Sequence, residues 1–324
     1  MAQENLEPDL IARVAYDEDT PRGFAFALVA YLLWGFLPFY MKAVAHIPAV
    51  EVVAHRVVWS VPIAAVVLIL LGRTNDIRIA LRTPRTLMMG MITASIITVN
   101  WGIYVWSIGA DRTVEAALGY YINPLFSVFL AAVLLKERLD RQQMIAIALA
   151  VAAVALLAWE SGGLPWVSLG LAGTWGFYAY FKKSLPVGPN QGFFLEVLIL
   201  TMPAIGYIAY LESMGEGHFG GTGMTDIWLL LGCGVVTAVP LMIYANGAKL
   251  LRLSTIGIMQ YIAPTMIFII AVFVFKEPFG LTKLAAFVLI WMALAIYTSS
   301  LLRTRKARRA AAALSTDKTG SAQA

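Results

Sequence analysis

The residues best suited to chemistry stand in a strongly apolar stretch: Glu51, His55 and Arg56, followed by Trp59 and Ser60. A guanidinium presents a rigid fork of N–H donors that can hold a carboxylate or another anionic group. An imidazole gains and loses a proton near neutral pH, which makes His55 a candidate proton-coupling site. Glu51, His55 and Trp59 fall at i, i+4 and i+8 and share one helix stripe. Against this stands a packing reading, in which His55 and Arg56 only make hydrogen bonds between helices. Ionisable groups in such surroundings are costly and usually face a cavity or a partner. That favours binding for Arg56 and leaves His55 open between the two readings.

A second constellation is built on two prolines. Tyr120-Tyr121-Ile122-Asn123-Pro124 and Gln260-Tyr261-Ile262-Ala263-Pro264 each place a helix-disrupting residue next to amide and phenol side chains. Asn123 and Gln260 offer both donors and acceptors, and the tyrosines offer flat amphipathic surface for a small organic molecule. The alternative is a kink that shapes packing only. Other polar positions in apolar runs are Asn100, Thr237, Asn246 and Glu196. Glu196 needs a partner if it lies deep, and is the second proton-coupling candidate. Glu115 reads as an acid at a helix N-terminus, favoured by the dipole. Trp34 and Trp175 sit mid-run and are candidate lining residues. Trp101, Tyr104, Tyr178 and Tyr244 fit either a pathway or, by default, a membrane-interface belt.

These residues are carried by a chain with 60% hydrophobic and 13% charged residues, against about 45–50% and about 25% in soluble domains. Ten apolar runs read as membrane spans: 23–45, 49–71, 87–109, 113–135, 143–160, 164–184, 191–211, 226–250, 254–275 and 281–302. Each meets the ~20 residues needed to cross ~30 Å of hydrocarbon as a helix. Span five, rich in Ala146, Ala150 and Ala153, has no polar group that could select a solute, and suits a scaffold or a homodimer surface. The net charge of +5 sits beside the spans and points to lipid, not to nucleic acid. The acidic first 20 residues do not read as a cleavable signal peptide. The glycine-rich stretch 211–225 reads as a flexible loop without a mechanism.

The chain also repeats itself. Residues 121–137 return at 261–277 with six of 17 positions identical, both ending in Lys-Glu, and Trp34-Gly35-Phe36 returns 141 positions later as Trp175-Gly176-Phe177. The expected segments are a tail at 1–22, a five-helix repeat at 23–160, a second at 164–302 and a basic tail at 303–324. With a cytoplasmic N-terminus, nineteen Lys and Arg fall inside and four outside. Five spans per copy then invert the second copy relative to the first, an arrangement of secondary transporters.

The strings Glu51-x-x-x-His55-Arg56-x-x-Trp59-Ser60, Leu118-Gly119-Tyr120-Tyr121-Ile122-Asn123-Pro124-Leu125 and Arg252-Leu253-Ser254-Thr255 through Pro264-Thr265 resemble the RarD-type group of the EamA family, in the drug/metabolite transporter superfamily. The resemblance implies a ten-helix inner-membrane carrier with an inverted five-plus-five repeat. It also implies a central cavity lined by helices one to four and six to nine, with helices five and ten as scaffold.

The sequence therefore predicts an all-α polytopic membrane protein of ten transmembrane helices. Its expected role is secondary active transport, with export as the direction, of a small organic metabolite or drug across a bacterial cytoplasmic membrane, both termini inside. The expected substrate-binding residues are Trp34, Arg56, Asn100, Tyr121, Asn123, Pro124, Trp175, Gln260, Tyr261 and Pro264. The alternatives are a channel or facilitator and, more remotely, a membrane enzyme. No P-loop, H-E-x-x-H or G-x-S-x-G motif occurs, so neither ATP, a metal nor another cofactor is expected.

Overall fold

The computed structural model describes residues 19–134, 136, 139–221 and 223–321, without the side chains of 161, 253, 254, 301 and 304–321. Most of the expected N-terminal tail, and Glu137 of the first Lys-Glu pair, lie outside the described residues. Among the described residues every regular element is helical. In chain order they are α1 (Pro21–Ala43), α2 (Ala49–Leu70), α3 (Thr74–Arg82), α4 (Pro84–Gly109), α5 (Thr113–Leu134), α6 (Arg141–Ser161), α7 (Trp166–Lys183), α8 (Pro189–Met214) and α9 (Met224–Gly247). A 3₁₀ turn, α10 (Leu253–Met259), α11 (Ile262–Ile269), a π-helical turn (Ile270–Val274) and α12 (Leu281–Ser321) complete the chain.

Nine described spans are long and apolar enough to cross a membrane. The expected sixth span is the helix α7, but Gly, Ser, Thr, Trp and Tyr dilute its apolar character and Lys182 and Lys183 end it. The helix α3 was not expected. It is short and amphipathic, burying Ile77 and Ala80 while Arg78 and Arg82 stay exposed. The last helix continues through the basic segment that the sequence marks as a tail.

Local chemistry accounts for the ends of these helices. Thr20 accepts a hydrogen bond from Gly23 N at 3.0 Å, with Pro21 opening α1. Asp140 and Gln143 form a capping box on α6, which Gly162 closes at φ 64°. The two prolines behave differently. Pro264 faces the carbonyl of Gln260 four residues back, and the helix breaks there, at Gln260–Tyr261, into α10 and α11. Pro124 sits inside an unbroken α5. Only one of the two matched segments is therefore discontinuous, and the expectation of an interruption in both is corrected.

Two compact units are present. The first comprises the chain up to Asn123 together with Trp166–Phe279, and the second Pro124–Pro165 with the chain from Gly280 on. In the second unit α6 and α12 pack along each other, and Ser300 donates to Asp140. In the first, α2 packs along α8 and α9, α1 along α9 and α11, and α4 along α7. Close approach depends on missing side chains: a Cβ at Gly234 would run into the Trp59 carbonyl, and one at Gly119 would sit 2.9 Å from the Ser168 carbonyl.

Lys136 and Lys276, 140 positions apart, both adopt positive φ, 55° and 58°. That conformation is rare for a residue with a Cβ. After the second of them, Glu277 turns back to accept from Thr113 N and Val114 N at 2.7 and 2.9 Å. It is 7% exposed and closes the N-terminus of α5, where a carboxylate meets both orphan donors and the helix dipole.

In the same unit, Asp19 accepts from Arg252 N and Nε at 2.8 Å each and from Thr255 Oγ1 at 2.7 Å. The bonds from Arg252 hold its carboxyl at about 2, below the usual range. A depressed carboxylate stabilises fully above the unfolded value, about 3.9, and is lost only as pH falls through about 2. Asp19→Asn is accordingly expected to lower thermal stability by the same amount at pH 5 and pH 8. Glu277→Ala, which orphans two buried donors at about 1–3 kcal/mol each, is expected to lower it more. Thermal unfolding in detergent reads both.

Candidate functional site

Arg56 is 3% exposed, about a third of the way along α2. Its Nε donates to Thr237 Oγ1 of α9 at 2.9 Å, and its guanidinium lies 4.9 Å from the centre of the Trp101 ring of α4. Its Nη1 is buried with no hydrogen-bond partner among the described residues. Among the described residues the ionisable side chains around its charge are Tyr40, Tyr104, Tyr120 and Cys233, and no carboxylate is among them. An ion taken out of water without a counter-ion costs several kcal/mol. A cation–π contact of about 0.5–2 kcal/mol and one charged hydrogen bond of about 1.5–3 kcal/mol offset part of that.

Arg56 lines a cavity of about 180 Å³ inside the first unit. Two aromatic clusters form much of its wall. Tyr31, Trp34 and Tyr244 meet with ring centres 5.4–5.7 Å apart. Tyr104, Tyr120, Trp175 and Tyr178 form a chain of rings 5.8–6.4 Å apart. Asn100, Asn123, Thr237 and Gln260 supply polar groups. Asn100 Nδ2 donates to Leu171 O and Thr174 Oγ1, while its Oδ1 and the Tyr104 hydroxyl are buried without hydrogen bonds among the described residues.

The lining follows the sequence repeat. Ile97 and Thr237, Trp101 and Leu241, Tyr104 and Tyr244, Tyr120 and Gln260, and Asn123 and Ala263 each lie 140 positions apart, and Trp34 and Trp175 lie 141 apart. All of them line the cavity.

Of the expected binding residues, Trp34, Arg56, Asn100, Asn123, Trp175, Gln260 and Pro264 meet there. Tyr121, Tyr261 and Pro124 do not line it. Tyr121 and Tyr261 stack on each other at 6.4 Å, Tyr121 bonds Thr265 at 2.7 Å, and Pro124 is buried. Trp101, Tyr104, Tyr178 and Tyr244, which default to an interface belt, are cavity residues. Tyr31 was missed, although it sits one turn before Trp34.

Neither proton-coupling candidate lines the cavity. His55 Nδ1 accepts from Trp59 Nε1 at 3.0 Å, which puts the proton of the neutral ring on Nε2. Glu196 is 1% exposed and has the partner its depth demands, Lys182 Nζ at 2.7 Å. It also accepts from Tyr178 at 3.1 Å, and the Tyr178 ring is cavity wall. Lys182, counted from sequence among the cytoplasmic charges, is the half-buried partner of a buried Glu196.

A family model described as the EamA-like transporter family matches residues 21–159. "Protein RarD" of Streptomyces exfoliatus is 40% identical over 89% of this chain and 91% of its own. The chain is a RarD-type member of the EamA family. "Uncharacterized transporter YojE" of Bacillus subtilis is 37% identical over 90% of this EamA protein and 98% of the relative. A solved chain, titled only as the crystal structure of a protein, shares the fold at a TM-score of 0.55 and 19% identity, over 87% of this chain and 98% of that one. Nine apolar spans among the described residues, together with transporter relatives, make this EamA protein a multi-pass membrane transporter.

The glycine-rich loop is anchored, which corrects its reading as a flexible stretch without a role. Glu51, 1% exposed, accepts from His218 N at 2.7 Å and pairs with His218 Nδ1 at 2.8 Å. Phe219 stacks on His55 at 5.1 Å and covers Trp59 at 5.6 Å, and Glu212 accepts from Phe219 N and Gly220 N. Glu51 is therefore a buried anchor and not the solvated helix-end acid that its position suggests. Glu51→Gln is expected to speed amide exchange across residues 215–221 at least about tenfold, the effect of about 1.4 kcal/mol in local opening. Unchanged exchange there would remove Glu51 as the anchor.

Proposed function

We propose that this transporter is a secondary carrier that exports a small organic molecule across a bacterial cytoplasmic membrane by alternating access. In this reading two inverted copies, with both termini cytoplasmic, rock about the cavity around Arg56. The observation that carries it is the lining itself, contributed by matched positions of the two copies. A site at the junction of two repeats is the arrangement by which one copy can move against the other around a fixed cargo. The break of α10 from α11 beside Gln260 adds backbone irregularity where it lines a cavity.

A channel or facilitator is the second reading. In proteoliposomes a carrier shows saturation and counterflow, while an open pore shows neither. The solute for that assay comes from a thermal-shift screen of the purified protein against amino acids, nucleosides and amphenicols, since a ligand of the native state raises its stability. Reporter fusions at 136–142 and 276–283 are expected on opposite sides of the membrane, and the same side for both would end the inverted arrangement.

Coupling to protons is assigned to Glu196, with His55 as the other candidate. Tyr178 joins the Lys182–Glu196 pair to the cavity wall. Glu196→Gln is expected to keep counterflow and lose the response to an imposed proton gradient. A variant that still concentrates solute against the gradient would take Glu196 out of that role.

A further inference from the structure

We infer that the cargo is a flat aromatic monocarboxylate carrying one N–H or O–H donor, and not an amine. This inference rests on the carrier reading above and deepens it. Three buried atoms on residues that line one cavity lack hydrogen-bond partners among the described residues: Arg56 Nη1, the Tyr104 hydroxyl and Asn100 Oδ1. Buried polar groups are rarely left so, and a ligand is one thing that satisfies them. Two of the three can donate and one can only accept.

The donors belong together. Tyr104 lies one turn beyond Trp101, the ring that carries the guanidinium, and the free edge of the guanidinium is the edge not bound to Thr237. A carboxylate placed there receives one N–H and one O–H, and supplies the counter-ion that no described residue gives Arg56. The acceptor calls for a donor on the cargo at a second point. Between these points the walls are ring faces and edges from Tyr31, Trp34, Tyr120, Trp175 and Tyr244, which favour a planar apolar body.

Charge excludes the opposite class. Among the described residues no carboxylate lines the cavity. The nearest described link to one runs through Tyr178 to Glu196, whose charge is already met by Lys182. An ammonium entering here would find Arg56 and no fixed anion. An aromatic amino acid brings the wanted carboxylate with the unwanted cation, and so ranks below its deaminated counterpart.

Four matched probes test this on the full-length protein in detergent: indole-3-acetate, its neutral amide indole-3-acetamide, tryptamine and L-tryptophan. Binding is read by thermal shift and by tryptophan fluorescence. The acid is expected to bind at least about tenfold more tightly than the amide or the amine, the effect of one charge-assisted hydrogen bond of about 1.5 kcal/mol or more. L-Tryptophan is expected between the acid and tryptamine. Arg56→Met and Arg56→Lys should erase the preference for the acid, and Tyr104→Phe should reduce it. The wild-type ranking needs no variant to fold. Amide or tryptamine binding as tightly as the acid, no response to any probe, or full acid preference in both Arg56 variants would overturn the inference. Saturable counterflow of tryptamine would sink this cargo class while keeping the carrier. Tight binding of the acid without counterflow in proteoliposomes would keep the class and sink the carrier.

Discussion

The structure turns on a guanidinium buried with no anion to meet it among the described residues. Arg56 is held from one side by Thr237 and from another by the face of Trp101, and both restraints fix its orientation without cancelling its charge. The surrounding groups are phenols, a thiol and indoles. A core designed for stability alone would place a methionine or leucine there, because an uncompensated ion is among the most costly things to bury. That cost sits in the wall of the cavity, where a ligand can repay it.

Three buried acids show the contrast. Glu51 is equally buried but is met by His218, Glu196 by Lys182 and Tyr178, and Glu277 by two helix donors. These three acids close a loop, pair two helices and cap a third. Each is satisfied from within the protein, so each has a structural account. Arg56 has only half of one: its Nη1 has no hydrogen-bond partner among the described residues.

Much of this was legible in the sequence, for identifiable reasons. Spans are set by hydropathy, and Trp34, Trp175, Asn123 and Gln260 could be found because they recur at 140 or 141 positions or stand beside a proline. Arg56 was legible because a charge in an apolar run has few innocent explanations. Other features were not. That α5 continues through Pro124 while the matched segment breaks before Pro264 depends on how each local turn is satisfied, which spacing does not encode. The anchoring of the glycine-rich loop depends on a contact across 167 positions, between Glu51 and His218. The aromatic walls looked like interface belts because a single ring carries no sign of its depth. The match of Tyr104 to Tyr244, at the same offset as the prolines, was the signal that could have moved them inward.

The central claim is that Arg56 destabilises the empty protein and is retained for what it binds. The direct measurement is the thermal unfolding midpoint of Arg56→Met against the wild type, both ligand-free in the same detergent. An unpaired buried charge replaced by an apolar side chain of similar length should leave the midpoint unchanged or raise it. A fall of several degrees in a variant that still folds would show that Arg56 is satisfied within the protein, and would contradict the account.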